Sequence, residues 1–230
     1  MLWNGWEVEY KKYMKSIKTK FNFSNVDDFD NHIKLSIPNF FTLDSIFSSI
    51  TYEYAQPESI VLDLGCSTGR FLHNLTKLPD TEYVGCDLVN FKNRRQSFSY
   101  HQLDVEESLK KYLNKNVSCL ICMFTLQFLG KSKRQRVLEL LNNYIEQGTV
   151  LLISEKVFLD NTRLQTLIHR MHIQEKRLHF TDKQILDKDN QLSVSMYCKT
   201  EKELEIELQY LGNFTKVWQS YNFMGYTVYK

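Results

Sequence analysis

The chain has 230 residues, 43% hydrophobic and 24% charged, which suits one globular unit with a sizeable core. Its 29 basic and 27 acidic residues leave a net charge of +2, which argues against a dedicated nucleic-acid coat and leaves room only for a local basic patch. Three prolines and eight glycines exclude long flexible linkers, and no apolar run approaches the roughly 18 residues of a membrane span.

Residues 1–35 read as an N-terminal helical extension. Trp3, Trp6, Tyr10 and Tyr13 among lysines suit a helix packed on the domain edge, or a lid over a site. The start lacks the charged-then-apolar layout of a signal peptide. The rest, 36–230, reads as one domain. Thr42 to Tyr54 is expected to be helical and is broken by Gln56-Pro57-Glu58. Ser59 to Leu64 is a short buried strand, and a helix follows from about Arg70. Glu82 to Asp87 and Ser97 to Gln102 are further strands, followed by a short helix from Val105 to Leu113. Val117 to Phe124 is almost continuously apolar, as a parallel strand covered on both faces must be. Its Cys119 and Cys122 would point to opposite faces, so they read as buried structural thiols rather than a redox or zinc pair. With Cys66, Cys86 and Cys198 they make an odd count, which fits a reducing, cytoplasmic setting.

Lys133 to Ile145 is an amphipathic helix and Thr149 to Ser154 a fifth strand. Leu159 to Leu186 reads as a long charged helix, part of a helical insertion at about 159–190. Glu201 to Leu211 is helical and stops at Gly212. Phe214 to Tyr221 and Phe223 to Tyr229 close the chain as an antiparallel pair at the sheet edge. The alternation defines an α/β, doubly wound sheet, mostly parallel and seven-stranded, with an antiparallel C-terminal strand. That is the Rossmann-like arrangement of class I methyltransferases.

The strongest motif is Asp63-Leu64-Gly65-Cys66-Ser67-Thr68-Gly69, where a strand ends and a helix begins. Gly65 and Gly69 permit tight turning and close ligand approach, Cys66 and Ser67 complete the turn, and a helix start offers backbone donors. An acid before the glycines suits the cationic end of S-adenosylmethionine (SAM) and would repel a pyrophosphate. Asp87 lies about 22 residues after Gly65, near the spacing of an acid that accepts from ribose hydroxyls, with Leu88 beside it. Asp104 follows the third strand, where a carboxylate could take the adenine amino group and Val105 cover the ring. Three acids at successive strand ends point to one ligand, because open α/β sheets bind there. His169 and His172 share a helix but lack an acidic third ligand at matching spacing, so no metal site is expected. Lys92 to Arg95 and Lys131 to Arg136 are basic clusters that read either as solvated loops and helix starts or as contacts to RNA phosphates.

Phe29-Asp30-Asn31-His32-Ile33-Lys34-Leu35-Ser36-Ile37-Pro38, Leu64-Gly65-Cys66-Ser67, Phe124-Thr125-Leu126-Gln127-Phe128-Leu129, Ile153-Ser154-Glu155-Lys156, Met171-His172, Lys176-Arg177 and Tyr221-Asn222-Phe223 carry a further likeness. Through them the chain resembles the carboxy-S-adenosyl-methionine synthases from about residue 29 onward. The resemblance implies SAM or carboxy-SAM as ligand, prephenate as carboxyl donor, a role in tRNA wobble-uridine modification, and paired subunits. It also implies ligand contacts at Phe40 and Met123, where that family carries a tyrosine and an asparagine. The family's carboxylate-binding arginine falls on Asp189, with Lys188 or Arg177 as substitutes.

The functional expectation is a SAM-dependent methyltransferase with a small acceptor. The alternatives are a carboxy-SAM synthase, or a SAM-binding partner of a tRNA enzyme that does not turn over. Gln127, Arg177 and Tyr221 are the catalytic candidates, with Asn222 and Lys188 also on the acceptor side.

Overall fold

Short aliphatic runs build the centre of the sheet, and the computed structural model describes them within residues 28–230. The stretch holding Trp3, Trp6, Tyr10 and Tyr13 lies outside the described residues. Two helices come first, α1 (Phe29–Ser36) and α2 (Phe40–Tyr54). Strand β1 (Ile60–Leu64) is buried along its whole length, and α3 (Arg70–Asn74) follows it. Next come β2 (Glu82–Asp87), β3 (Ser99–Gln102), α4 (Val105–Tyr112) and β4 (Val117–Met123). A 3₁₀ turn, Leu126–Phe128, leads into α5 (Lys131–Glu146) and β5 (Val150–Phe158). The chain ends with α6 (Thr162–Lys176), α7 (Asp182–Ser193), β6 (Lys199–Thr200), α8 (Glu201–Leu211), β7 (Asn213–Ser220) and β8 (Phe223–Tyr229).

The sheet runs β3-β2-β1-β4-β5-β8-β7, with short β6 added beside the end of β5. The first five strands are mutually parallel, and β8 runs antiparallel to both β5 and β7. The expected architecture holds, with β6 as an unforeseen eighth strand. Alternation sorts the side chains into two cores. Leu62, Leu64, Leu120 and Cys122 pack toward α4, α5 and α8, while Val61, Cys119 and Ile121 pack toward α2 and α3. The two cysteines of the C-x-x-C pattern therefore sit buried on opposite faces.

The region expected as one long helix from Leu159 to Leu186 is two. Helix α6 ends at Lys176, and Thr181 starts α7 with a capping box that exchanges hydrogen bonds with Gln184. Helical periodicity continues across the break, so only the cap marks it. The order of strands reverses direction between β1 and β4, and that switch point places a crevice at the carboxyl ends of the parallel strands.

Candidate functional site

A cavity of about 380 Å³ occupies this crevice. The turn after β1 forms its floor. Gly65 has φ +79°, and a Cβ there would lie 2.3 Å from the Thr125 hydroxyl. That hydroxyl ties β1 to β4 by donating to Leu64 O and Met123 O, both at 3.0 Å. The backbone N–H groups of residues 65–69 are consumed locally: Gly65 and Cys66 donate to Cys86 O, Ser67 to Asp87, Thr68 to Ser67 Oγ and Gly69 to Cys66 O. Residues 65–69 therefore offer no spare donor to a ligand carboxylate, which leaves the first N–H groups of α3, the helix start to which the sequence pointed. Arg70, which lines the cavity just beyond, carries a positive charge that acts on Asp63. Its guanidinium is paired with both oxygens of Asp44 and lies over the Phe40 ring.

Asp63 is only 2% exposed and faces the cavity. Burial, reinforced by the charge of Asp87, pushes its carboxyl up to about 8, against a partial offset from Arg70. A buried acid of this kind suits a cationic ligand group, which would restore its charge. Asp87 ends β2 and also lines the cavity. Its two oxygens accept from Ser67 N at 2.8 Å and Val89 N at 2.7 Å, each keeping a second lone pair. Asp104 caps α4 in a capping box with Glu107, and its other oxygen accepts from Lys133 at 2.8 Å. Each of its oxygens, like those of Asp87, thus accepts one hydrogen bond and keeps a second lone pair. Leu88, 68% exposed, and Val105 lie between these acids as apolar surfaces against the cavity.

Of the other sequence candidates, Gly65, Cys66, Ser67, Phe40 and Met123 line the cavity. Gly69 does not. It caps α3 at φ +72°, and a Cβ there would penetrate the Phe98 ring at 1.9 Å, so glycine is required by packing. Gln127 lines the cavity and is buried, its Oε1 accepting from Lys156 N at 2.8 Å. Arg177 lies off the cavity, exposed at the break between α6 and α7 and paired with Asp182 at 2.7 Å. Tyr221 is also off the cavity walls, in the β7–β8 turn at φ +52°, where it hydrogen-bonds Glu175. The Asn222 amide is spent on Val157 O. Asp189 is exposed, whereas Lys188, one residue earlier, lines the cavity.

Several cavity residues escaped the sequence reading. Helix α1 brings Phe29, Asp30 and Ile33 over the opening, with Asp30 accepting from Thr68 Oγ1 and Arg95. Phe91, Lys133, Lys156, Lys176 and Phe223 complete other walls. Lys156, Lys176 and Phe223 lay in motifs already singled out, but nothing local assigned them to one site. Of the basic clusters, Arg134 is 2% exposed between Glu155 and Glu207, Arg136 and Arg95 form surface pairs with Glu106 and Asp30, and Lys92 and Lys131 are exposed. Among the described residues no helix is long and apolar enough to cross a membrane.

No family model matches the chain. It is 23% identical to a carboxy-S-adenosyl-L-methionine synthase of Shewanella piezotolerans, over 96% of each chain. It is 26% identical to the enzyme of the same name from Hydrogenovibrio crunogenus, covering 92% of this chain and 89% of that one. Among solved structures, the plantazolicin methyltransferase BamL, in complex with a triazolic desmethyl analogue and SAH, matches with a TM-score of 0.58 and 12% identity. That match covers 87% of this chain and 75% of BamL. Fold, cavity and relatives together define a SAM-dependent transferase with the class I methyltransferase fold. The chain is similar to the carboxy-S-adenosyl-L-methionine synthases over most of its length.

Proposed function

We propose that this protein transfers the methyl group of SAM to a small acceptor held in the same cavity. The observation that carries this reading is the convergence of Asp63, Asp87 and the Asp104–Val105 pair on one cavity at the switch point of the sheet. The residues fit the cofactor: a buried acid for its ammonium or sulfonium end, free lone pairs on Asp87 for ribose hydroxyls, and Leu88 and Val105 for a flat ring. SAM, when bound, supplies an electrophilic methyl group. The chain's own residues would hold the acceptor in line and exclude water, and well-oriented pairs gain roughly 7–11 kcal/mol over free encounter. Phe40, Met123, Phe124 and Phe223 form an apolar wall suited to that exclusion. Gln127 fixes the backbone at Lys156 and so sets the end of β5 against this wall.

A second reading, carboxy-SAM synthesis, is favoured by the near full-length relatives and by the position of Lys188, rather than Asp189, in the cavity wall. Mass spectrometry of the purified protein incubated with SAM, with and without prephenate, separates the two. Carboxy-SAM formed only with prephenate would replace the methyltransferase reading. SAH formed from SAM when acceptor-containing extract is added supports it.

A further inference from the structure

At the β3 side of the cavity the lining comes from the turns after β2 and β3 and from the segment leading into α5, and much of it is apolar: Leu88, Leu103, Val105 and Leu129. Set among these residues is one ion pair, Asp104 with Lys133 at 2.8 Å. Asp104 caps α4 and Lys133 stands in the first turn of α5, so two helix starts bring the pair together over the strand ends. Helix α5 itself gains nothing from a cation there. Its first turn carries Lys131, Lys133 and Arg134 and no acid, whereas the positive end of a helix dipole favours acids. The fold gains little either, because Lys133 and Asp104 are 34% and 24% exposed and such pairs contribute little. The cap of α4 uses the other Asp104 oxygen, which accepts from Glu107 N. Burial opposes the charge of Asp104, but the Lys133 hydrogen bond and the Glu107 N–H outweigh it and hold the carboxyl below its ordinary value. Among the described residues, Asp104 is the one partner of the Lys133 ammonium. The pair thus presents an ionised acceptor beside a donor: a second lone pair on Asp104 and the remaining protons of Lys133.

We infer that Lys133 is a specificity residue for the cofactor, which together with Asp104 recognises the edge of the adenine ring. This rests on the reading of the cavity as a SAM site. The amino group of adenine is a donor flanked by two ring nitrogens that accept, N1 on one side and N7 on the other. Either edge therefore offers a donor beside an acceptor, the complement of Asp104 beside Lys133. The amino group donates to the carboxylate, and the ring nitrogen accepts from the ammonium. An acid alone would satisfy the amino group and leave the ring nitrogen without a partner in a largely apolar slot, which is costly. Lys133 supplies that partner and keeps Asp104 ionised. A 6-oxo purine is rejected, because its carbonyl oxygen faces the carboxylate. In the sequence Lys133 is one charge in a basic run, and only the arrival of α5 beside Asp104 gives it this task.

The test is calorimetric titration of the full chain, wild type and Lys133→Met, with SAH, its 1-deaza and 7-deaza analogues, and S-inosylhomocysteine. Wild type should bind one deaza analogue about tenfold or more weakly than SAH, the loss expected when a hydrogen bond to a charged group is removed. Which analogue is weakened identifies the edge that is recognised. S-inosylhomocysteine should be weakened by at least the same factor. Lys133→Met should melt close to wild type, since the pair is partly exposed. It should bind SAH about tenfold more weakly, yet bind the weakened deaza analogue as well as wild type does, because that contact is already missing. Deaza analogues that both match SAH on wild type overturn the inference, as does S-inosylhomocysteine bound as tightly as SAH. A variant that binds SAH undiminished overturns it too. So does one that loses the same factor for SAH and for the weakened deaza analogue, since Lys133 would then act through the fold alone. If SAH does not bind wild type, the SAM reading falls and this inference with it. If SAH binds and the deaza analogues bind equally well, only this inference falls.

Discussion

Replacing Asp63 by asparagine tests whether the cavity is built around a cation. Asp63 is buried, and desolvation followed by the charge of Asp87 raises its carboxyl from 3.8 to about 8. At 1.36 kcal/mol per pH unit, that rise sets a ceiling of about 6 kcal/mol on the cost of keeping the carboxylate charged. Between these two pH values the folded state holds a proton that the unfolded chain has released. Stability of the ligand-free protein is therefore highest below about pH 4 as far as this group is concerned, and is lost as pH climbs toward 8. Asp63→Asn removes the titration while keeping the shape. Realising about half the ceiling, about 3 kcal/mol, would raise the melting temperature at pH 8 by about 6–12 °C, at 2–4 °C per kcal/mol for a chain of this size. The assay is thermal unfolding without ligand from pH 5 to 8.5, beside calorimetric titration with SAM. Wild type should lose stability across that range relative to the variant, and the variant should bind SAM at least about tenfold more weakly. An Asp63→Asn protein less stable than wild type at pH 8, or one that binds SAM as tightly, would refute the reasoning.

Asp87→Ala leaves the N–H groups of Ser67 and Val89 without their carboxylate and removes the proposed ribose contact. It should cost about 2–4 kcal/mol of stability and at least tenfold in SAM affinity; denaturant unfolding and calorimetry check the two effects separately. Gly69→Val should destabilise the fold itself, since its side chain would meet the Phe98 ring at a backbone angle that disfavours branched residues; a normal melting temperature would contradict this. Arg134→Met strands Glu155 and should cost about 3–5 kcal/mol, whereas Arg136→Met, which breaks an exposed pair, should change stability by about 1 kcal/mol or less. Equal effects in urea unfolding would show that the burial of Arg134 is not what matters.

The sequence determined the sheet and the cofactor side of the cavity because both are written locally. Strand runs such as Ile60–Leu64 and Val117–Met123 are apolar by period and length, and Asp63, Gly65 and Asp87 sit at the carboxyl ends of strands that pattern alone places. Only the tertiary structure decided the opposite wall. Lys156, Lys176 and Lys188 lie on three elements, and whether a lysine on an amphipathic helix faces solvent or a cavity depends on how that helix packs. The capping box at Thr181 splits the expected long helix, and after that break it is Lys188, rather than the adjacent Asp189, that faces the cavity. On a helix, consecutive residues point about 100° apart, so an alignment off by one residue exchanges an acid for a base at the site. Arg134 shows the same limit: it reads as one charge in a basic run, and only the arrival of Glu155 and Glu207 from distant elements makes it part of the core.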